Sequence, residues 1–179
     1  MSEDFETFTE SGVEADFLKW LSDDGWEVYG EGDKWGSEIL DNRYGRDRNE
    51  VIYWDILKEK VIELNDHITE DNVERFLSSL KRDLSHENLI QANKNFHKIL
   101  RGGKRGFQYQ AEDGSQKTKA VDLIDFQDTD NNRFIAVNQF RVRQGNGTKR
   151  PDINLFVNGI PLVTMELKSI AQDNDYYDA

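Results

Sequence analysis

No cysteine occurs among the 179 residues, which rules out a disulfide framework and a thiolate metal site. A reducing, cytoplasmic setting is the expectation. Histidine is scarce: His67, His86 and His97 are scattered and show no ligand spacing. No apolar run approaches the roughly 20 residues that span a bilayer, so no membrane association is expected. The start, Met1-Ser2-Glu3-Asp4-Phe5, is acidic and lacks a basic region followed by an apolar one, so no address label is evident. Arg101-Gly102-Gly103-Lys104 lacks the spaced glycines and the Lys-Ser/Thr ending of a P-loop, so no ATP site is read here.

What the chain does have is charge and aromatic bulk. Charged residues make up 32 % of it, yet ten Phe, four Trp and six Tyr supply enough apolar surface to argue against disorder. The length fits one domain, 1–179. The net charge of −12 looks wrong for a nucleic-acid partner, but it is unevenly spread. Residues 1–93 hold 24 acidic and 10 basic side chains, whereas residues 94–150 hold 6 and 12. Local rather than total charge sets the field over a binding face.

Helical spacing of Val13, Phe17, Leu18 and Leu21 predicts a helix over 12–24, followed by a short strand at Trp26–Tyr29. Residues 30–50 read as a charged, glycine-rich loop with at most a turn of helix. A helix starts at Val51, another runs from an N-cap at Thr69 to Lys81, and Ser85 is expected to cap a third that ends at Gly102-Gly103. Strands are then expected at 106–109, 120–126, 134–142, 153–157 and 162–167, with turns at Asp113-Gly114 and Asn158-Gly159. Asn146-Gly147-Thr148 spells a glycosylation sequon but reads as a turn. The fold class is α+β, with a mixed central sheet flanked by helices and helical additions at the N-terminal side.

The chemistry concentrates between Arg150 and Lys168. Glu166 and Lys168 are two apart in an apolar strand and so share a face. An ion in such a strand is costly unless paired or metal-bound. With Asp152 opposite Glu166 and Asn154 opposite Thr164, the other face collects Ile153, Leu155, Val157, Val163, Met165 and Leu167. A one-residue slip would exchange the faces, so burial selects this register. Two adjacent carboxylates call for a cation. An oxygen-rich set without Cys or spaced His suits Mg²⁺ or Mn²⁺, held by Asp152, Glu166 and the Leu167 carbonyl, with Lys168 orienting a water. An exposed strand with a surface Glu–Lys pair is the plainer reading of the same spacing. Arg141, Arg143, Lys149 and Arg150 are candidates for DNA phosphates, or a solvated surface.

Asn138-Gln139-Phe140, Arg150-Pro151-Asp152, Leu155 to Val163 and Glu166-Leu167-Lys168 together closely resemble the endonuclease region of the R subunits of type I restriction–modification enzymes, within the PD-(D/E)xK nuclease superfamily. Leu123 to Phe126 and Asn95-Phe96-His97 add to the likeness, and Val13 to Trp26 resembles the family's start. The resemblance implies a restriction-endonuclease-like core and metal-dependent cleavage of double-stranded DNA. It further implies modification and specificity subunits as partners, and ATP used only by motor domains downstream of a segment whose end here reads as cut. It makes Glu14 a candidate for a further acidic metal ligand; the alternative is an ordinary helix glutamate. The family's Gln-x-x-x-Tyr element is spelled by Gln172 and Tyr176 but is expected beyond Ala179. The alternatives are a catalytically silent DNA-binding or docking module, or a repair or junction-resolving nuclease of the same superfamily.

Overall fold

Thr9 opens the first helix, its Oγ1 accepting the Gly12 N–H at 3.1 Å. From there the computed structural model describes residues 9–30, 35–85 and 88–168. In chain order these form α1 (Glu10–Asp23), β1 (Glu27–Tyr29), α2 (Gly36–Tyr44), α3 (Trp54–Leu64), α4 (Glu70–Leu84), α5 (Leu89–Gly102), β2 (Lys104–Gln110), β3 (Gln116–Val121), β4 (Phe134–Asn138), β5 (Val142–Gln144), β6 (Gly147–Lys149), β7 (Ile153–Val157) and β8 (Ile160–Met165). A 3₁₀ turn at Thr129–Asn131 precedes β4. The architecture is α+β, and the chain divides into two compact units. Gln172 and Tyr176 lie outside the described residues.

The first unit comprises residues 1–51, 134–156 and 161–179 and contributes nearly all of a four-stranded sheet ordered β1-β4-β7-β8. β1 and β4 run parallel, with Val28 beside Ala136. The Gln139 N–H donates to the Asp152 carbonyl at 2.7 Å, and the Asn158 N–H donates to the Arg133 carbonyl at 2.9 Å. Residue numbers therefore run oppositely along β4 and β7, an antiparallel pair in a mixed sheet. One face collects Leu18, Leu21, Ala136 and Ile153, with Phe17, Leu155, Met165 and Leu167 packed against them. The Asn154 Nδ2 donates to Thr164 Oγ1 at 2.8 Å, so Asn154 faces Thr164 as the apolar pattern requires. Val163, expected on the covered face, is exposed instead, because β8 is an edge strand.

The second unit, residues 52–133 with 157–160, is mainly helical. α4 carries Val73, Phe76, Leu77 and Leu80 on one stripe and packs on α3, α5 and β2. Phe76 meets Phe107 edge-on at 5.5 Å. Thr69 opens α4 with a capping box completed by Asn72.

Several local expectations are corrected. Residues 36–44 form a helix rather than a loop, because Leu40 and Ser37 are fully buried there and the backbone is tied to the sheet. Ser85 closes α4, and Asn88 caps α5, its Oδ1 accepting the Ile90 N–H at 2.9 Å. The strand expected at 120–126 is β3, which ends at Val121. There the Asn65 side chain takes both backbone bonds of Asp122, each at 2.9 Å, in place of a neighbouring strand. The strand expected over 134–142 breaks at Gln139, where φ is 51°. β8 begins at Ile160 and stops at Met165, so Glu166 and Lys168 follow the strand instead of lying in it.

Candidate active site

β4 delivers two amide side chains to the end of the sheet. Asn138 Oδ1 accepts the Gly36 N–H at 2.6 Å, and its Nδ2 donates to the Gly30 carbonyl at 3.1 Å and to Glu14 Oε1 at 2.8 Å. Both glycines are needed for this approach. A Cβ on Gly30 would stand 1.8 Å from Asn138 Oδ1, and one on Gly36 would stand 1.9 Å from the Tyr29 carbonyl oxygen. Gln139 follows with its backbone in the left-handed region, a conformation that costs a non-glycine residue about 1–3 kcal/mol. Two hydrogen bonds help hold it there. Its N–H donates to the Asp152 carbonyl, and its own carbonyl accepts the Ser37 hydroxyl at 2.8 Å.

The turned backbone aims the Gln139 side chain between two acids. Its Nε2 donates to Glu14 Oε2 at 3.2 Å and to Asp152 Oδ1 at 3.4 Å. An amide nitrogen has two hydrogens, and here each meets a carboxylate. Asp152 Oδ2 accepts the Leu167 N–H at 2.7 Å, which draws the Glu166-Leu167-Lys168 segment against the same carboxylate. Asp152 and Glu14 are half-buried, as is Leu167, whereas Glu166 and Lys168 are exposed. Asn154, two residues from Asp152, is buried with its Oδ1 unpartnered.

The structure thus joins Glu14, Asp152 and Leu167 through hydrogen bonds and leaves Glu166 and Lys168 at the exposed margin. Among the described residues, no three Asp, Glu or His side chains converge as a ready-made metal cage. The oxygens that these hydrogen bonds bring together are hard ones, the carboxylates of Glu14 and Asp152 about one neutral amide. That set fits a hard divalent cation and has no soft ligand.

Of the basic candidates, the Arg141 guanidinium lies 3.8 Å from the centre of the Trp35 ring and pairs with Glu38 at 3.2 Å. Arg150 lies 4.8 Å from the same ring centre. Arg143 and Lys149 stand exposed on the β5–β6 hairpin. Sequence reasoning overlooked Gln139, which bridges Glu14 and Asp152, and Trp35, on which Arg141 and Arg150 lie. The only signal for Gln139 was its place in a quoted motif, and Trp35 carried none.

What the fold and these side chains show is an α+β chain in which two acids meet about one amide at the end of a mixed sheet. The chain belongs to the family described as "Type I restriction enzyme R protein N terminus", whose profile matches residues 7–179. It is 38 % identical over 165 residues to the Type I restriction enzyme HindI endonuclease subunit of Haemophilus influenzae, covering 89 % of this chain and 15 % of that protein. A Methanocaldococcus jannaschii protein, the putative type I restriction enzyme MjaIXP endonuclease subunit, is 29 % identical over 84 % of this chain and 13 % of its own length. The chain therefore spans about a seventh of the length of these curated relatives.

Proposed function

We propose that this chain is a metal-dependent DNA endonuclease domain, the cleavage module of a type I restriction enzyme. The observation that carries the reading is the bridge from Glu14 through Gln139 to Asp152, with the Leu167 N–H closing on the other Asp152 oxygen. Family membership and the endonuclease names of the relatives agree with it.

In this reading Asp152, Glu166, Glu14 and the Leu167 carbonyl would hold Mg²⁺ or Mn²⁺. Such an ion, when bound, would supply polarisation of the scissile phosphate and a more acidic water. Lys168, exposed beside Asp152's partner residue, orients the attacking water and offsets charge building on the phosphate oxygens. The water would give up a proton to solvent as its oxygen bonds to phosphorus and one P–O ester bond breaks, and the departing oxygen would take a proton from solvent. Gln139 holds the two carboxylates at a set separation before the ion arrives. Arg143, Lys149, Arg150 and the Trp35-stacked Arg141 engage the phosphates of double-stranded DNA.

Within the whole enzyme we place this module, as a single cytoplasmic nuclease domain, alongside modification and specificity subunits, with ATP consumed by other domains. The test is nicking of supercoiled plasmid. The chain is expected to nick in Mg²⁺ or Mn²⁺ and to stop in EDTA. Equal nicking in EDTA, or none with either cation, contradicts the reading.

A further inference from the structure

The second unit carries a basic surface that the cleavage site does not use. Three cavities adjoin there, of about 600, 550 and 220 Å³. The first two share Lys98 and Ile99 as walls, and the last two share Arg82, so they form one continuous groove over α4, α5 and β2. Along it stand Arg75, Arg82, Lys98, Arg101, Lys104 and Arg105. Among the described residues, Asp83 is the one acidic side chain lining these cavities, and it is already paired with Lys104.

Two features of this groove are hard to explain by folding alone. Lys94, Lys98 and Arg101 occupy successive turns on one face of α5, and like charges at that spacing destabilise a helix by a few tenths of a kcal/mol. No acidic side chain among the described residues pairs with any of the three. Arg105 sits where the β2–β3 register slips between Lys104 and Phe107, beside Gly106 with φ of 78°. Such a bulge re-aims a side chain, and this one leaves Arg105 exposed on the groove.

We propose that the groove binds the sugar–phosphate backbone of duplex DNA, as a second contact separate from the cleavage site. The choice of polyanion rests on the nuclease reading; the presence of an anion-binding groove does not. A run of recesses lined by cations on several elements matches a repeating phosphate chain better than one small anion. Single strands are held largely by stacking on several aromatic side chains, and among the described residues the groove offers only the His97 imidazole, with Phe107 buried against Phe76.

The test is fluorescence anisotropy of a labelled duplex bound by the chain in EDTA, where cleavage cannot interfere, over a range of salt. Each phosphate contact adds about 0.9 to the slope of log affinity against log salt. Substituting Lys98→Gln, Arg101→Gln and Arg105→Gln together is expected to lower that slope by about 2–3. The charge-keeping set Lys98→Arg, Arg101→Lys and Arg105→Lys is expected to retain it, which separates charge from folding. An unchanged slope in the Gln variant, with an unchanged melting curve, overturns the proposal, as does an oligoglutamate that displaces the duplex at equal charge. Plasmid nicking in Mg²⁺ is read separately. Loss of the nuclease reading there leaves the slope result standing, and an unchanged slope leaves the nuclease reading standing.

Discussion

Lys168→Ala is expected to slow plasmid nicking by about 100-fold or more while leaving divalent-ion binding intact. A positioned cation that meets charge developing in the transition state contributes on the order of 10²–10³ in rate. Lys168 is exposed, so its ammonium is not needed for packing and its removal leaves no cavity. Asp152, bonded to the Leu167 N–H and Gln139, keeps its partners in the variant. The expected signature is therefore a fall in kcat with an unchanged metal titration and an unchanged melting curve. A variant that nicks at the wild-type rate removes Lys168 from the chemistry and favours the surface-pair reading of its spacing.

Arg46→Met is expected to destabilise the chain by about 3–5 kcal/mol, the usual cost of breaking one side of a buried ion pair. Arg46 and Asp41 are 8 % and 9 % exposed, and the guanidinium grips the carboxylate at 2.7 and 3.0 Å. The same guanidinium donates to the Glu50 carbonyl and to the Arg141 carbonyl, and it lies 4.3 Å from the centre of the Phe140 ring. It ties the segment after α2 to the chain just beyond Gln139. Most of the expected loss arises because Asp41 is left buried without the guanidinium that grips both its oxygens, and Arg48 stands 3.8 Å away. Adding Asp41→Leu is therefore expected to recover a large part of it, since an apolar pair of similar volume often matches a buried ion pair. Urea unfolding measures both. A double variant less stable than Arg46→Met would show that the hydrogen bonds to the two carbonyls, and not the stranded charge, dominate.

Much of the site's frame was legible because burial constrains it. The alternation from Ile153 to Leu167 admits one register only, and the Asn154–Thr164 hydrogen bond matches it. Glu14 was a candidate through the family resemblance alone, because the helical spacing of Val13, Phe17, Leu18 and Leu21 predicts the helix but gives its glutamate no role. The rest depended on contacts between residues far apart in the chain. α2 has too few apolar residues to announce itself, and it holds through Leu40, Ser37 and the Gly36–Asn138 bond, formed across 102 positions. Gln139 reads as one more strand residue until its positive φ turns the amide toward Glu14 and Asp152. Glu166 and Lys168 were placed inside a strand because the apolar pattern runs on through Leu167, which stays half-buried after the ladder has ended. The basic middle of the sequence was visible as composition, but its concentration into a groove needed α4, α5 and the β2 bulge in place.

In the proposed reading the Glu14–Gln139–Asp152 network is a divalent-cation site. Calorimetric titration of Mn²⁺ into the chain, with Asp152→Asn and Gln139→Ala beside it, tests that most directly. Saturable binding by the wild type is expected, and loss of that binding in Asp152→Asn. In Gln139→Ala affinity is expected to weaken by about 10–100-fold, the usual effect of removing a group that orients a metal ligand. Binding that persists unchanged in Asp152→Asn would place the ion elsewhere and contradict the account.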